Sequence, residues 1–262
     1  MICRRGEIAF MRLTDKHAIH EALRAGRAFT QVTFYVNPKR DARLGEIERR
    51  ARKAGVPVTM GEARQRGRQR VDSAVEAECS DFVYAPLEEV IDRARATGAA
   101  AQIVALDHIE DPRNLGAVIR SAAAAGAAGV IIEKRRCSPV TAIAYETSSG
   151  GAERVSVAMA PNLRAALEEL KKNDFWIAGA DERAETAVHD TDLAVPLVWV
   201  LGAEGSGLSR LIRETCDFLV RIPTNPAFPS LNVSVAAGVL LFEAARQKRE
   251  KETEKINTNS HE

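Results

Sequence analysis

The stretch L-G-A-E-G-S-G-L-S, Leu201 to Ser209, joins an apolar run to a segment with helical character. A strand, a glycine-rich turn and a helix are the parts of a phosphate cradle at the C-terminal edge of a parallel sheet. The residues argue against a phosphate. A Walker loop needs G-x-x-x-x-G-K-[ST], and there is no lysine here. The dinucleotide fingerprint is G-x-G-x-x-G, whereas Gly202, Gly205 and Gly207 read G-x-x-G-x-G, so a nucleotide-dependent oxidoreductase fails on spacing. Glu204 adds a carboxylate that would repel a pyrophosphate held against backbone N–H groups. Either the loop serves a ligand that carries positive charge or needs an acceptor, or it is a strand-to-helix turn with a solvent-facing glutamate.

The same plan recurs on both sides. Upstream, L-D-H-I-E-D-P-R-N-L-G-A-V-I-R-S-A-A-A-A-G reads as a strand ending at Asp107, a polar turn, and a helix starting near Asn114 or Leu115 with Asn114 as N-cap. Arg120 follows about one and two-thirds helical turns later. It is the only charged residue between Arg113 and Glu133, on an alanine-rich helix, so it either pairs locally or points at a ligand anion. Downstream, R-I-P-T-N-P-A-F-P-S-L-N-V-S-V-A places a proline-punctuated loop before an apolar helix. Ser230 and Asn232 flank Leu231 at its start, as caps or as the wall of a pocket. Polar loops at the C-terminal ends of strands are where open α/β sheets bind ligands.

Strands Q-I-V-A-L-D, G-V-I-I-E, F-W-I-A-G-A, P-L-V-W-V-L-G and D-F-L-V-R-I-P alternate with helical stretches near 115–126, 162–173 and 208–215 and after Leu231. That alternation predicts an α/β fold with a mostly parallel sheet covered on both faces. Ahead of it, D-K-H-A-I-H-E-A-L-R-A-G (helix), Q-V-T-F-Y-V (strand), L-G-E-I-E-R-R-A-R-K-A-G (helix) and V-P-V-T (strand) make a small α/β unit. The expected organisation is a small domain over 12–84, a linker helix over 85–100, a large domain over 101–247 and a disordered polar tail over 248–262.

The formal net charge of +1 conceals an asymmetry: residues 1–70 hold 17 Lys/Arg against 7 Asp/Glu, a balance of +10, and the remainder 20 against 29, a balance of −9. A basic module beside an acidic one suggests polyanion binding next to a different chemistry, unless the charges only solvate helix faces. Arg64, Arg66, Arg68 and Arg70 surround one glycine, as an RNA-phosphate loop or an exposed mobile one. No run of about 18 apolar residues predicts a membrane span. The four cysteines, Cys3, Cys79, Cys137 and Cys216, are far apart and never form C-x-x-C, which argues against a disulfide framework and a zinc knuckle and suits a reducing cytoplasm.

Together, three segments resemble the SpoU/TrmH family of RNA ribose 2′-O-methyltransferases, within the SPOUT class, and most closely its ribosomal RNA guanosine branch. Asn114, Gly116 and Arg120 match N-x-G-x-x-x-R; Leu201 to Gly207 match L-G-x-E-G-x-G; Ile222-Pro223 and Ser230 to Ala236 match I-P-x…S-L-N-V-S-V-A. S-S-G-G-A-E-R-V at 148–155 is also similar to a stretch of this family. The resemblance is strong over about 100–247. More faintly, 12–84 resembles the small ribosomal-protein-like RNA-binding domain that often precedes the catalytic one. It implies a C-terminal trefoil knot, a homodimer, no metal, and S-adenosylmethionine as cofactor, held by Leu201, Gly202, Gly205, Ile222, Pro223 and Leu231 chiefly through backbone groups. A sulfonium cation without phosphate would make Glu204 tolerable in its loop. The resemblance assigns catalysis to Arg120, with Asn114, Glu204, Ser230 and Asn232 orienting it, the ribose and the cofactor.

A ribose hydroxyl is a poor nucleophile until it loses its proton, and attack on the methyl carbon neutralises the sulfonium, so a dry pocket with oxygen, carbon and sulfur aligned favours transfer. Arginine is an awkward base, since its pKa exceeds about 12. Arg120 either loses a proton transiently beside a substrate phosphate or clamps that phosphate and stabilises the alkoxide. T-N-P-A-F-P departs from the ribosomal RNA branch, which has a glycine at the place of Pro226, and resembles a tRNA-modifying branch. D-S-A-V-E-A-E-C stands where an H-Q-G motif is common. The expected substrate is large-subunit ribosomal RNA; the alternatives are a tRNA 2′-O-methyltransferase and a non-catalytic RNA-binding ribosome assembly factor.

Overall fold

The computed structural model describes residues 10–61, 65–66, 69–70, 73–227 and 230–259. The apolar runs read as continuous because they are buried on both faces. Strands β7 (Gln102–Asp107), β8 (Gly129–Glu133), β9 (Ser156–Ala160), β10 (Trp176–Ala180), β11 (Leu197–Gly202) and β12 (Phe218–Val220) form a six-stranded sheet in the order β12-β10-β11-β7-β8-β9. Every pairing in it is parallel. Side chains alternate between two cores. Ile103, Ala105, Ile131, Val198 and Val200 pack under helices α3 (Leu87–Thr97) and α6 (Leu163–Lys172). Val104, Leu106, Val130, Ile132 and Trp199 pack under α4 (Pro112–Ala124), α5 (Ala142–Thr147) and α8 (Val233–Asn259). Two faces covered by helices are what an all-parallel sheet requires. The order is consistent with the knot that the resemblance implies.

The small domain is a four-stranded sheet, β1-β6-β2-β3, built from β1 (Phe10–Leu13), β2 (Phe29–Phe34), β3 (Val58–Met60) and β6 (Val75–Ser80). Only β2 and β3 run parallel. Helices α1 (Lys16–Arg24) and α2 (Ala42–Lys53), capped by Asp15 and Asp41, cover one face. A short hairpin, β4 (Gln65–Arg66) with β5 (Gln69–Arg70), carries the backbone of Arg66 and Arg70; Arg64 and Arg68 lie outside the described residues.

Three expectations are corrected. Residues 85–100 are not a linker: Ala85 donates its N–H to Val157 O (2.9 Å), and Val90, Ile91 and Ala94 of α3 are buried in the large domain's core. Helical periodicity identifies the apolar stripe but not the surface it covers. The helix behind β7 starts at Pro112, not near Asn114, because Asp111 accepts Arg113 N–H (2.8 Å) and proline fits the first helical position. The polar tail is helical to Asn259. Arg246 bonds Glu250 at i+4, Lys251 reaches Asp192 at 2.8 Å, and Lys248 is 5% exposed with Nζ donating to Ala101 O at 2.8 Å.

Burial without a carboxylate partner pushes Lys248 down to about 8. A base whose folded value lies below its unfolded one costs stability at pH values where it is charged in both states, and that cost fades as pH rises from the folded value toward the usual 10.5. Lys248→Met, which keeps the length and removes the charge, is therefore expected to raise unfolding stability by about 1–3 kcal/mol at pH 7. In urea titrations the gain should shrink between pH 8 and 10.5. Ala101 O keeps its bond from Leu197 N–H (3.1 Å).

The two domains share carboxylate contacts. Glu146 accepts from Thr14 N–H, from Thr14 Oγ (3.1 Å) and from Asp15 N–H (3.0 Å) at the start of α1. Glu153 accepts from Tyr145 Oη (2.6 Å) and Arg27 (3.2 Å), and Arg27 also lies over the rings of Phe82 and Tyr145.

Candidate active site

β7 and β11 lie side by side in register, Leu106 against Leu201 and Asp107 against Gly202, so the segments that follow them emerge at one edge. The glycine loop after β11 turns back on itself. Gly207 N–H donates to Ala203 O (2.9 Å), and Gly205 and Gly207 take left-handed φ of +83° and +67°. A Cβ on Gly202 would lie 2.1 Å from the Gly207 carbonyl carbon. The first glycine thus serves contact between two stretches of backbone. Ser209 N–H donates to Asp107 Oδ2 (2.7 Å), which ties the loop to the end of β7. With the N–H groups of Gly207 and Ser209 engaged, the turn is not an open anion nest.

Glu204 is a latch. Its Oε1 accepts from Asn114 Nδ2 (3.0 Å), from Asn232 Nδ2 and from Val233 N–H (3.5 Å). Asn232 Nδ2 also donates to Asn114 Oδ1 (2.9 Å), while its Oδ1 accepts Ser234 N–H (2.9 Å) and so caps α8. One carboxylate joins the first turn of α4, the glycine loop and the start of α8. Because Asp111 is the cap of α4, the Asn114 side chain is free for this contact.

Arg120 lies apart from the latch, about 9 Å further along α4 by helical rise. It is exposed and forms no ion pair among the described residues. Its one hydrogen bond there runs from Nη1 to Ser149 Oγ (3.3 Å). The guanidinium keeps most of its donors for another partner. Among the described residues, the structure thus brings Asn114, Glu204 and Asn232 together and leaves Arg120 without an ion pair, and Ser230 is exposed without a bond to the trio.

Of the residues expected to hold the cofactor, Leu201 is 2% exposed and its side chain belongs to the core, which leaves its backbone alone to face the edge. Ile222 is half-buried, Leu231 is 37% exposed, and Gly205 and Pro223 are exposed. Residues 201–209 hold one carboxylate and neither lysine nor arginine. A loop with a carboxylate and no cation suits a cationic ligand better than a polyphosphate.

Sequence reasoning missed Asp107 as the tether of the glycine loop and Ser149 as the partner of Arg120. Asp107 sits where a buried strand ends in a carboxylate, a visible signal; Ser149 lies in S-S-G-G, where only the third dimension supplies the partner. Asp107, His108 and Glu133 bring ligand-type atoms within 4.8 Å of one another, but the Asp107 carboxylate is engaged by His108 and Ser209. A cleft of about 610 Å³ lies between the domains, lined by no residue of the glycine loop or of the Glu204 latch, and Arg27, Arg93 and Arg154 on its wall are paired. Burial pushes the Cys79 and Cys216 thiols up to about 11 and about 12, so neither is a ready nucleophile. No described helix is long and apolar enough to cross a membrane.

The model of the SpoU rRNA Methylase family matches residues 101–242. A protein of Mycobacterium ulcerans (strain Agy99), named "Uncharacterized tRNA/rRNA methyltransferase", is 40% identical over 237 residues, which cover 89% of this chain and 76% of that one. The SpoU methyltransferase AviRb from Streptomyces viridochromogenes, solved in complex with the cofactor AdoMet, has a TM-score of 0.77 at 22% identity, covering 92% of this chain and 91% of that chain. An RNA 2′-O ribose methyltransferase has a TM-score of 0.71 at 24% identity, with 92% and 90% covered. All three span both domains of the fold.

Proposed function

The chain belongs to the SpoU rRNA Methylase family of RNA methyltransferases, and from that premise we propose that it methylates a ribose 2′-hydroxyl of structured RNA, with S-adenosylmethionine as methyl donor and large-subunit ribosomal RNA as substrate. The observation that carries this reading is Arg120, a guanidinium held among the described residues by one neutral hydroxyl and no carboxylate, on a helix whose first turn is latched to the glycine loop.

When bound, S-adenosylmethionine supplies an electrophilic methyl carbon on a sulfonium. The donor set fits it: apolar Ile222 and Leu231, turned backbone at 203–207, and no cation between Leu201 and Ser209. Glu204 fixes Asn114 and Asn232, and through them the relative positions of α4 and α8, so the cofactor loops and Arg120 share one rigid frame. Arg120 clamps the phosphate next to the target ribose and stabilises the developing oxyanion while the hydroxyl proton passes to solvent water and the oxygen takes the methyl group from the sulfonium, which leaves as the neutral thioether. A guanidinium bound to a hydroxyl rather than a carboxylate offers undiminished positive charge, which supports the clamp over the base. We assign RNA recognition to the small domain and its arginine hairpin, supported by the +10 balance of residues 1–70.

We also propose a homodimer. Val235, Val239 and Phe242 form an open stripe on α8, 51%, 40% and 48% exposed, opposite the buried side formed by Ala237, Leu240 and Ala244. Phe242→Glu is expected to convert a dimer to a monomer in light scattering, with the circular dichroism spectrum unchanged.

Pro226 in T-N-P-A-F-P favours a second substrate, tRNA. Labelled S-adenosylmethionine with unmodified ribosomal RNA and tRNA in parallel separates the two. Label in one ribosomal nucleotide is the expected result, label in tRNA alone moves the target, and label in neither contradicts the proposal.

A further inference from the structure

Ser149 occupies a costly conformation at a telling place. Its φ is +50°, in the left-handed region that a serine pays about 1 kcal/mol or more to enter. Strain of that kind persists where the surroundings hold it. Here they do so from two sides. On one side lies the helix that bears Arg120: Arg120 Nη1 donates to Ser149 Oγ at 3.3 Å, and a Cβ on Gly151 would lie 3.1 Å from Arg120 Cα and 3.2 Å from Ile119 O. The S-S-G-G segment lies flat against α4 at the arginine. On the other side lies the small domain. A Cβ on Gly150, whose φ is +87°, would meet Glu21 Cγ of α1 at 2.5 Å.

The ends of the segment are anchored to the same helix. Glu146, whose carbonyl accepts Ser149 N–H (3.0 Å), turns its carboxylate to the N–H groups of Thr14 and Asp15 ahead of α1. Arg154 pairs with Glu21 at 3.1 Å. The small domain therefore grips the segment before, at and after the residue that touches Arg120.

We propose that Ser149 is a positioning residue for Arg120, and that the docked small domain sets the aim of the guanidinium through Glu146 and Glu21. The inference rests on the reading of Arg120 as the phosphate clamp. It assigns the small domain a second task beside RNA contact: it presses the loop that orients the catalytic arginine. The arrangement places substrate recognition and the reacting geometry on one mechanical path, which runs from α1 through residues 146–154 to α4.

Ser149→Gly tests this without endangering the fold, since glycine adopts positive φ at no steric cost while Oγ is removed. The expected result is a loss of about 10-fold in kcat, because small misplacements of a reacting group are expensive. KM for RNA and for S-adenosylmethionine should stay within about twofold, and the melting temperature should be equal or higher. Ser149→Asn tolerates the same backbone and offers a side-chain oxygen, and it is expected to recover most of the rate. Glu146→Ala cuts the tether to α1 and should lower kcat as well. In the Ser149→Gly/Glu146→Ala double variant the two losses should not add, because they act through one contact. Wild-type kcat in Ser149→Gly would overturn the assignment, a rise in KM alone would make Ser149 a substrate contact instead, and additive losses would overturn the route through the small domain. Arg120→Ala is the reference: if it too turned over normally, the reading of the reaction would fall, and Ser149 with it.

Discussion

Arg120→Ala is expected to lose about 10²- to 10³-fold in kcat and to keep its fold. The magnitude follows from removing one preorganised cationic donor from the place where negative charge develops. The fold survives because the side chain is exposed and gives up, among the described residues, one hydrogen bond, to Ser149 Oγ at 3.3 Å, whose hydroxyl then bonds water. S-adenosylmethionine binding, read by calorimetry, should be unchanged, since the residues proposed to hold the cofactor lie at the end of β11 and on the segments after β11 and β12. Arg120→Lys separates charge from shape: lysine restores a point charge without the planar fork, so its rate should fall between the two. A variant that bound cofactor less tightly in proportion to its loss of rate would place Arg120 in the cofactor site instead.

Gly202→Ala is expected to do the opposite, leaving Arg120 in place and breaking the frame around it. Its Cβ would stand 2.1 Å from the carbonyl carbon and 2.2 Å from the carbonyl oxygen of Gly207, and 2.4 Å from the nitrogen of Leu208. All three are backbone atoms, so no rotamer change relieves the clash and the turn must move. Overpacking of this kind costs about 1–3 kcal/mol, and a backbone neighbour puts this site at the upper end. The displaced turn carries Glu204, so the bonds to Asn114 and Asn232 weaken with it. A lower urea midpoint together with at least a roughly 10-fold weaker S-adenosylmethionine affinity is the expected pair of results, the latter equivalent to about 1.4 kcal/mol. Unaltered affinity with lowered stability would separate the turn from the cofactor.

The residues most legible in the sequence were those for which local pattern and burial agree. Gln102–Asp107 and Gly129–Glu133 read as strands because interior parallel strands are apolar along their whole length. β9, S-V-A-M-A, does not stand out in the sequence, because small residues blur that signal. β6 overlaps D-S-A-V-E-A-E-C, where Val75, Ala77 and Cys79 alternate inward at the period of a half-buried strand, but the charged residues between them mask the apolar signal. The site was legible as three motifs and opaque as a network. Asn114 has the residue type of a cap and a position two residues inside the helix that Asp111 caps. In the sequence Glu204 speaks only to the charge of a ligand, whereas its partners come from segments 90 and 28 residues away. Ser149 could not be found from its own stretch, because contact with Arg120 depends on how α5 and the following turn pack on α4. Distance in sequence, not subtlety of chemistry, hid these pairs.

The most direct test of the account is the chemical identity of the product. Unmodified ribosomal RNA, methylated by the purified protein with labelled S-adenosylmethionine, is digested to nucleosides and resolved by mass spectrometry. The account predicts label on the ribose of one nucleoside, as its 2′-O-methyl derivative, and none in the same digest with Arg120→Ala. Label on a base, or label that survives the loss of Arg120, would contradict it.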